Sequence, residues 1–151
     1  EWTDIADLPF NNDQYSQCTI TTVSAGNDAG PTCRAKDTGA GTDAYFWACT
    51  GSAASFFGKY VNGAQTNFQT GLTTVAGETA KINAIGTDIK VFRNGTQEGT
   101  TQSDSAIASG SGGLYIFGTT SRLDNWQADN EVTGWGPLIG LKTSRLVQAI
   151  G

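Results

Sequence analysis

The chain has 151 residues and a net charge of −5, and it contains no histidine. This length suffices for one domain with a substantial hydrophobic core. The acidic balance and nine scattered basic residues argue against nucleic acid as a partner, because phosphate contacts need clustered Lys and Arg. Without histidine, the Ser–His and Cys–His pairs of nucleophilic catalysis are excluded. No apolar run is long enough to span a bilayer, so no membrane span is expected.

The first half of the chain predicts short strands separated by turns rich in Gly, Asn and Asp. They follow one another at roughly ten-residue spacing, which is typical of an antiparallel sandwich. The strands predicted here are Tyr15–Val23, Thr32–Lys36, Ala44–Cys49, Ala54–Val61 and Asn67–Thr73. The Asn62-Gly63 pair closes the fourth strand in a turn.

The next segment is the clearest part of the pattern. It predicts strands at Lys81–Ile85, Asp88–Arg93 and Thr96–Glu98, in which apolar residues alternate as a half-buried sheet requires. The dipeptide Asn94-Gly95 tolerates two positive φ angles and favours a type I′ hairpin. It also matches a glycosylation acceptor with Thr96, and the turn is the better explanation. The chain is therefore predicted to be an antiparallel β protein with very little helix.

The last part of the sandwich is expected to be a loop over Gln102–Gly113, then strands at Leu114–Gly118 and Arg122–Gln127. We place the domain at 1–130 and a C-terminal tail at 131–151, which is either an extra strand or an arm that docks on a neighbouring chain. The predicted core includes Ile20, Phe57, Ile82, Ile89, Val91, Leu114 and Ile116.

The three cysteines, Cys18, Cys33 and Cys49, each lie in a predicted strand. One interpretation is a disulfide, Cys33–Cys49 or Cys18–Cys33, with one free thiol. The other, slightly favoured, is that all three are small buried side chains, because disulfides between directly paired strands are geometrically demanding. A metal site on the cysteines is not expected, since there is no CxxC spacing. The chain begins at Glu1 without a Met, so it is expected to be processed or a fragment.

Several segments taken in order resemble the laminin-G-like, concanavalin A-like jelly-roll superfamily. The matching segments span roughly residues 10–128 and are Asn12–Gln17, Ala44–Ala48, Ser55–Gly63, Ala76–Glu78, Ile89–Gly95, Gly112–Ile116 and Leu123–Trp126. The resemblance implies a two-sheet antiparallel jelly-roll sandwich. Similar domains occur in secreted bacterial proteins and in phage virion proteins.

The chain departs from this family at its start. Family members usually open with a strand about forty residues before the Asp13–Ser16 segment, and only twelve residues precede that segment here. We expect the missing strand to be supplied either by residues 131–151 or by a neighbouring subunit, and Pro137 favours the neighbour. Some relatives hold a structural calcium between the opening strand and an acidic residue at the position of Asp124. Without that strand, no cofactor is expected here.

An enzyme is not expected. Retaining glycosidases need two carboxyl groups about 5 Å apart, and the four glutamates are far apart in the sequence. For glycan binding, the candidate residues are Tyr45, Trp47, Tyr60 and Tyr115, which are expected to gather on the concave sheet. The alternative, that these aromatic residues belong to the core, is the commoner fate of an aromatic residue in a strand.

We therefore expect a non-catalytic surface domain that serves structural assembly, glycan binding or both. The alternative is a secreted carbohydrate-binding module detached from a larger enzyme. The expected partners of the domain are neighbouring subunits and polysaccharide, and its expected location is extracellular or on a virion surface.

Overall fold

The computed structural model describes residues 10–23 and 26–131. This part of the chain is all-β and contains ten strands in sequence order. Their bounds are β1 Gln14–Thr22, β2 Ala29–Asp37, β3 Thr42–Ala48, β4 Ser55–Val61, β5 Ala64–Leu72, β6 Thr79–Ile85, β7 Asp88–Arg93, β8 Thr96–Ser103, β9 Ser111–Ile116 and β10 Arg122–Asn130. Nothing in these ranges is a helix of the length and apolarity that crossing a membrane requires.

The strands form two antiparallel sheets of five strands each. Sheet I has the order β10-β1-β6-β7-β8, and sheet II has the order β5-β4-β3-β2-β9. The sheets pack face to face, with β1 against β2 and β6 against β2 and β3. The predicted two-sheet antiparallel sandwich is therefore confirmed. The expected tail at 131–151 and the missing first strand concern residues that lie, apart from Glu131, outside the described part of the chain.

The core lies between the sheets, and alternate residues of β1, β3, β6 and β7 form much of it. Ile20, Ile82, Ile89 and Val91 from sheet I meet Phe57 and other apolar residues of sheet II, and all are fully buried. These members of the predicted core are confirmed.

Leu114 and Ile116 do not belong to the core, so the prediction for these two residues is wrong. They lie on β9 at the edge of sheet II and are 42% and 55% exposed. An edge strand has a neighbour on one side alone, here β2. Alternation therefore predicts the face of an edge residue but not that the opposite sheet covers it.

The turns follow the predicted chemistry closely. Asn62 and Gly63 have φ of 50° and 78°, and Asn94 and Gly95 have φ of 49° and 81°. Both hairpins thus use two consecutive residues with positive φ, as type I′ turns require. The first hairpin fixes the register of β4 against β5, which places Gln65 opposite Tyr60.

The polar edge strands extend beyond their predicted bounds. β8 reaches Ser103, β9 begins at Ser111 inside the expected loop, and β10 reaches Asn130. Most side chains of β8 are exposed on both faces, so its sequence shows no apolar alternation. Its backbone nevertheless pairs with β7, which makes it a strand.

All three cysteines are buried free thiols, as the core-packing interpretation expects, and neither candidate disulfide is formed. Cys33 Sγ lies 3.4 Å from the carbonyl oxygen of Ile82 in the opposite sheet. Burial raises the pKa of the Cys18 thiol to about 12 and raises the pKa values of Cys33 and Cys49 as well. The thiols therefore stay protonated at neutral pH and act as small core residues.

Candidate functional site

Tyr45 and Trp47 lie on the inner face of β3, between the sheets, and have no exposed surface. Tyr45 Oη donates to Asp104 Oδ1 at 2.7 Å, and the backbone N–H of Ile107 donates to Tyr45 Oη at 3.2 Å. Burial, followed by the bond to Asp104, raises the pKa of Tyr45 to about 12. Both residues support the core, so the expectation that they share a surface with Tyr60 and Tyr115 is wrong. The pattern placed them on one face of β3, and that face is the inner one.

The outer face of sheet II carries a different set of aromatic residues around Phe46. The Phe46 ring centroid lies 4.8 Å from that of Tyr60, 5.5 Å from that of Tyr115 and 5.9 Å from that of Phe56. These neighbours cover Phe46 completely and are themselves half-buried. We call Phe46, Phe56, Tyr60 and Tyr115 the aromatic platform.

Small residues make room for this platform. Gly58 lies directly opposite Phe46 across β3 and β4, while Ala44 and Ala48 lie opposite Tyr60 and Phe56. With no large side chain at these positions, the flanking rings can lean over Phe46 rather than stand apart from it. The Tyr60 and Tyr115 rings lie 6.1 Å apart and 33° from parallel, so they form one tilted surface.

A row of neutral polar groups continues from the platform onto β5. Tyr60 Oη donates to Gln65 Oε1 at 2.7 Å, and Gln65 Nε2 donates to Asn67 Oδ1 at 2.8 Å. Burial, and then a hydrogen bond with Tyr60, raises the pKa of Tyr115. Both amide side chains are exposed. The platform therefore presents ring faces beside hydroxyl and amide groups without a charge among these contacts.

Four members of this surface are absent from the sequence-based set, namely Phe46, Phe56, Gln65 and Asn67. Two signals in the chain point to them. Phe46 alternates with Tyr45 and Trp47, so it takes the opposite face whichever face they occupy. The two-residue Asn62-Gly63 turn sets Gln65 against Tyr60.

A second concave feature lies among the loops. It is a cavity of about 520 Å³ lined by segments far apart in the sequence. Its polar lining includes Asn11, Asn12, Asp13, Arg34, Thr87 and Glu131. We call it the loop pocket.

Arg34 holds three walls of the loop pocket together. Its side chain is 3% exposed, and it donates to the carbonyl oxygens of Asn12, Ile107 and Gly86 at 2.8, 2.9 and 2.8 Å. Its φ of 52° belongs to an irregularity in β2, and its backbone N–H donates to Gln14 Oε1. A buried guanidinium group in this position fixes loops that would otherwise be independent.

Asp124, the position at which some members of the jelly-roll superfamily have a calcium-binding acidic residue, lies on β10. No cluster of three or more acidic, Cys or His side chains able to hold a metal ion occurs within 10–23 and 26–131. Asp124 Oδ1 accepts the backbone N–H of the adjacent Asn125 at 2.7 Å.

No protein-family model matches the chain, and no curated protein matches it. Among solved structures, the chain is similar to the carbohydrate-binding module CBM66 from Bacillus subtilis, with a TM-score of 0.64 and 17% sequence identity. The match covers 82% of this chain and 78% of that one. At this identity, the likeness shows a shared β-sandwich fold.

Proposed function

We propose that this domain binds carbohydrate on the aromatic platform of sheet II. The observation that carries the proposal is the paired ring surface of Tyr60 and Tyr115 beside the exposed amides of Gln65 and Asn67. The fold shared with a carbohydrate-binding module supports the same function.

The chemistry of the platform suits a neutral sugar chain. One face of a sugar ring is mostly C–H and gains free energy when it leaves water to cover an aromatic ring. Its edge carries hydroxyl groups, which both donate and accept hydrogen bonds. Amide side chains offer the matching donors and acceptors in fixed positions. Phe46 beneath the tyrosines keeps their tilt constant, so little side-chain entropy is lost on binding.

We propose further that the domain binds without cleaving its ligand. Hydrolysis of a glycosidic bond needs a pair of carboxyl groups around it. The groups that contact one another across the platform are rings, hydroxyls and amides. Reducing-sugar release from a panel of polysaccharides tests this point, and turnover that a single Asp or Glu substitution abolishes would contradict it.

Binding is tested by affinity electrophoresis against soluble polysaccharides, with Tyr60→Ala and Tyr115→Ala as the platform variants. Tyr15→Ala is the matched control, because Tyr15 is also half-buried, on the outer face of sheet I. The platform variants should lose retardation while Tyr15→Ala keeps it. Equal loss in all three variants, or none in any, would contradict the placement of the site.

A second candidate function is assembly through the edge of β9. Three of the four large hydrophobic residues that are exposed in the described part of the chain lie on β9 or directly after it, Leu114, Ile116 and Phe117 at 42%, 55% and 59%. A strand edge with apolar, uncharged side chains invites strand addition from another chain. We propose that a neighbouring subunit pairs with this edge in an extracellular or virion surface layer. A detached module of a larger secreted enzyme is the alternative context.

Light scattering at rising protein concentration tests the assembly role. Wild-type protein should associate, and Ile116→Lys should remain monomeric with its thermal transition unchanged, since Ile116 is largely exposed. A wild-type chain that remains monomeric at high concentration would overturn this candidate function and leave carbohydrate binding untouched.

A further inference from the structure

We propose that the loop pocket is a second carbohydrate site, one that takes a single neutral sugar unit. The ligand class rests on the proposed carbohydrate function, whereas the site itself rests on the geometry of the pocket. The pocket and the aromatic platform share no residue, so the two sites can be tested separately.

The pocket has the dimensions of a small-molecule site. Its volume of about 520 Å³ lies within the range of about 300–1,000 Å³ usual for such sites. Its walls come from the segment before β1, the β6–β7 turn, the loop before β9 and the residue after β10. Arg34 ties the first three of these walls together, so the cavity is preformed. A preformed cavity avoids the entropic cost of ordering loops around a ligand.

The charges of the pocket are already balanced within the protein. Asp13 Oδ1 lies 4.0 Å from Arg34 Nη2 and accepts the backbone N–H of Gly86 at 2.7 Å. Glu131 Oε1 lies 2.7 Å from Lys81 Nζ. A charged ligand would have to compete with one of these pairs, whereas a neutral ligand leaves both intact.

The carboxylates still have the capacity to bind hydroxyl groups. The contacts above use one oxygen of each, and an ionised carboxylate has roughly four acceptor sites on its two oxygens. Asn11, Asn12 and Thr87 add amide and hydroxyl groups to the same lining. Oriented acceptors beside neutral donors match a ring of hydroxyls, each of which donates and accepts.

The site differs from the platform in what it can select. An open ring surface follows a chain along its length, whereas a cavity of this volume brings groups from several loops to one sugar unit and can select the arrangement of its hydroxyl groups. Simultaneous use of both sites by one polysaccharide would raise its apparent affinity above that of either site alone.

The test is an amide-resolved NMR titration of the full chain with neutral monosaccharides, namely glucose, galactose, mannose, fructose and xylose. Glucuronate and glucosamine serve as charged comparisons. We expect at least one neutral sugar to shift the amide signals of Asn12, Gly86 and Thr87. Ala108→Trp places a large side chain in the pocket from an exposed loop position and should weaken that binding by about tenfold or more.

Ala106→Trp is the matched control, because Ala106 is exposed in the same loop and is not part of the pocket lining. It should leave the titration unchanged. Asp13→Asn keeps a carbonyl oxygen for the Gly86 N–H and removes the negative charge. It should weaken the binding of neutral sugars, and the variant should still unfold in a measurable thermal transition. Loss of binding in both tryptophan variants would overturn the assignment to the pocket.

The outcomes separate this inference from the proposed function. If no monosaccharide shifts the pocket amides while polysaccharide retardation still depends on Tyr60 and Tyr115, the pocket site is wrong and the platform stands. If a sugar binds the pocket and Tyr60→Ala and Tyr115→Ala retain full polysaccharide binding, the platform is wrong and the pocket stands. Stronger binding of glucuronate or glucosamine than of every neutral sugar would overturn the neutral class.

Discussion

The outer faces of both sheets carry aromatic residues, but the groups that contact these rings differ between the two faces. On sheet I, Lys81 Nζ lies 4.2 Å from the ring centroid of Tyr15 and 5.9 Å from that of Phe92. The same ammonium group pairs with Glu131. On sheet II, the rings of Tyr60 and Tyr115 contact other rings, and their hydroxyl groups contact each other and an amide.

We infer from this difference that the number of aromatic residues on a face does not by itself make the face available to a ligand. A ring covered by an ammonium group already has a partner, and a sugar would have to displace that cation. A ring supported from below by Phe46 and flanked by neutral amides is preoriented and available. The comparison therefore favours sheet II as the binding face, and the following variants test it.

The largest effect should come from Phe46→Ala. Phe46 is completely buried beneath the platform, and removing such a ring typically costs about 3–5 kcal/mol of stability. Phe92→Ala on sheet I is the matched change at a half-buried position and should cost about 1 kcal/mol. Urea unfolding of both variants measures the difference. Equal losses would mean that the platform is not a packed unit.

Alkaline pH should destabilise the domain through ionisable groups buried between the sheets, of which Tyr45 is one. Burial raises the pKa of Tyr45 from 10 to about 12, so the folded state favours the neutral phenol. This contribution is fully present below pH 10 and is lost as the pH rises through about 12, at about 1.4 kcal/mol per unit or about 3 kcal/mol in total. Burial also raises the pKa of the Cys18 thiol from 9 to about 12, so its ionisation adds to the same loss of stability.

Unfolding free energies measured from pH 8 upwards check this expectation. Tyr45→Phe should flatten the decline, because its ring cannot ionise. A Tyr45→Phe profile that runs parallel to wild type across the whole range would show that Tyr45 does not carry the effect.

Next in size is the loss of polysaccharide affinity on truncating the platform. A ring at the centre of a binding surface is typically worth about 2 kcal/mol or more when replaced by alanine, which is roughly thirtyfold in affinity. The double variant Tyr60→Ala with Tyr115→Ala should show at least this loss in calorimetry with a polysaccharide that wild type binds. Tyr15→Ala should change the affinity by less than about threefold.

The smallest effect should come from Lys81→Met. Cation–π contacts and partly exposed ion pairs each contribute about 1 kcal/mol or less, and methionine keeps part of the apolar stem. Thermal unfolding should therefore move by a few degrees at most. If covering by Lys81 is what keeps Tyr15 and Phe92 from binding, this variant should gain weak retardation by the same polysaccharides. If Lys81→Met shows no added retardation, then covering by Lys81 is not what keeps the Tyr15 and Phe92 rings from binding polysaccharide.

Much of the fold follows from local patterns in the sequence. The Asn62-Gly63 and Asn94-Gly95 turns fix two hairpins and their registers, and the alternation in β6 and β7 fixes their buried faces. These signals act over two to six residues and need no tertiary information.

The failures have one physical cause, which is that long-range packing decides burial. Leu114 and Ile116 lie on the face of β9 opposite Tyr115, as the alternation predicts. Both are nevertheless exposed, because β9 lies at the edge of its sheet. Tyr45 and Trp47 share a face as expected, but alternation cannot tell the inner face from the outer one. The loop pocket joins residues as distant as Asn11 and Glu131, and no local pattern brings them together.

The three buried thiols can also serve as probes of local opening in the domain. Cys18 lies on β1 of sheet I, Cys33 on β2 of sheet II, and Cys49 just after β3. A thiol-reactive dye can reach each of them only when the surrounding structure opens, so each labelling rate reports how often its own part of the sandwich separates. Equal rates at all three sites would mean that the two sheets part in a single event, and unequal rates would identify the strand that leaves first.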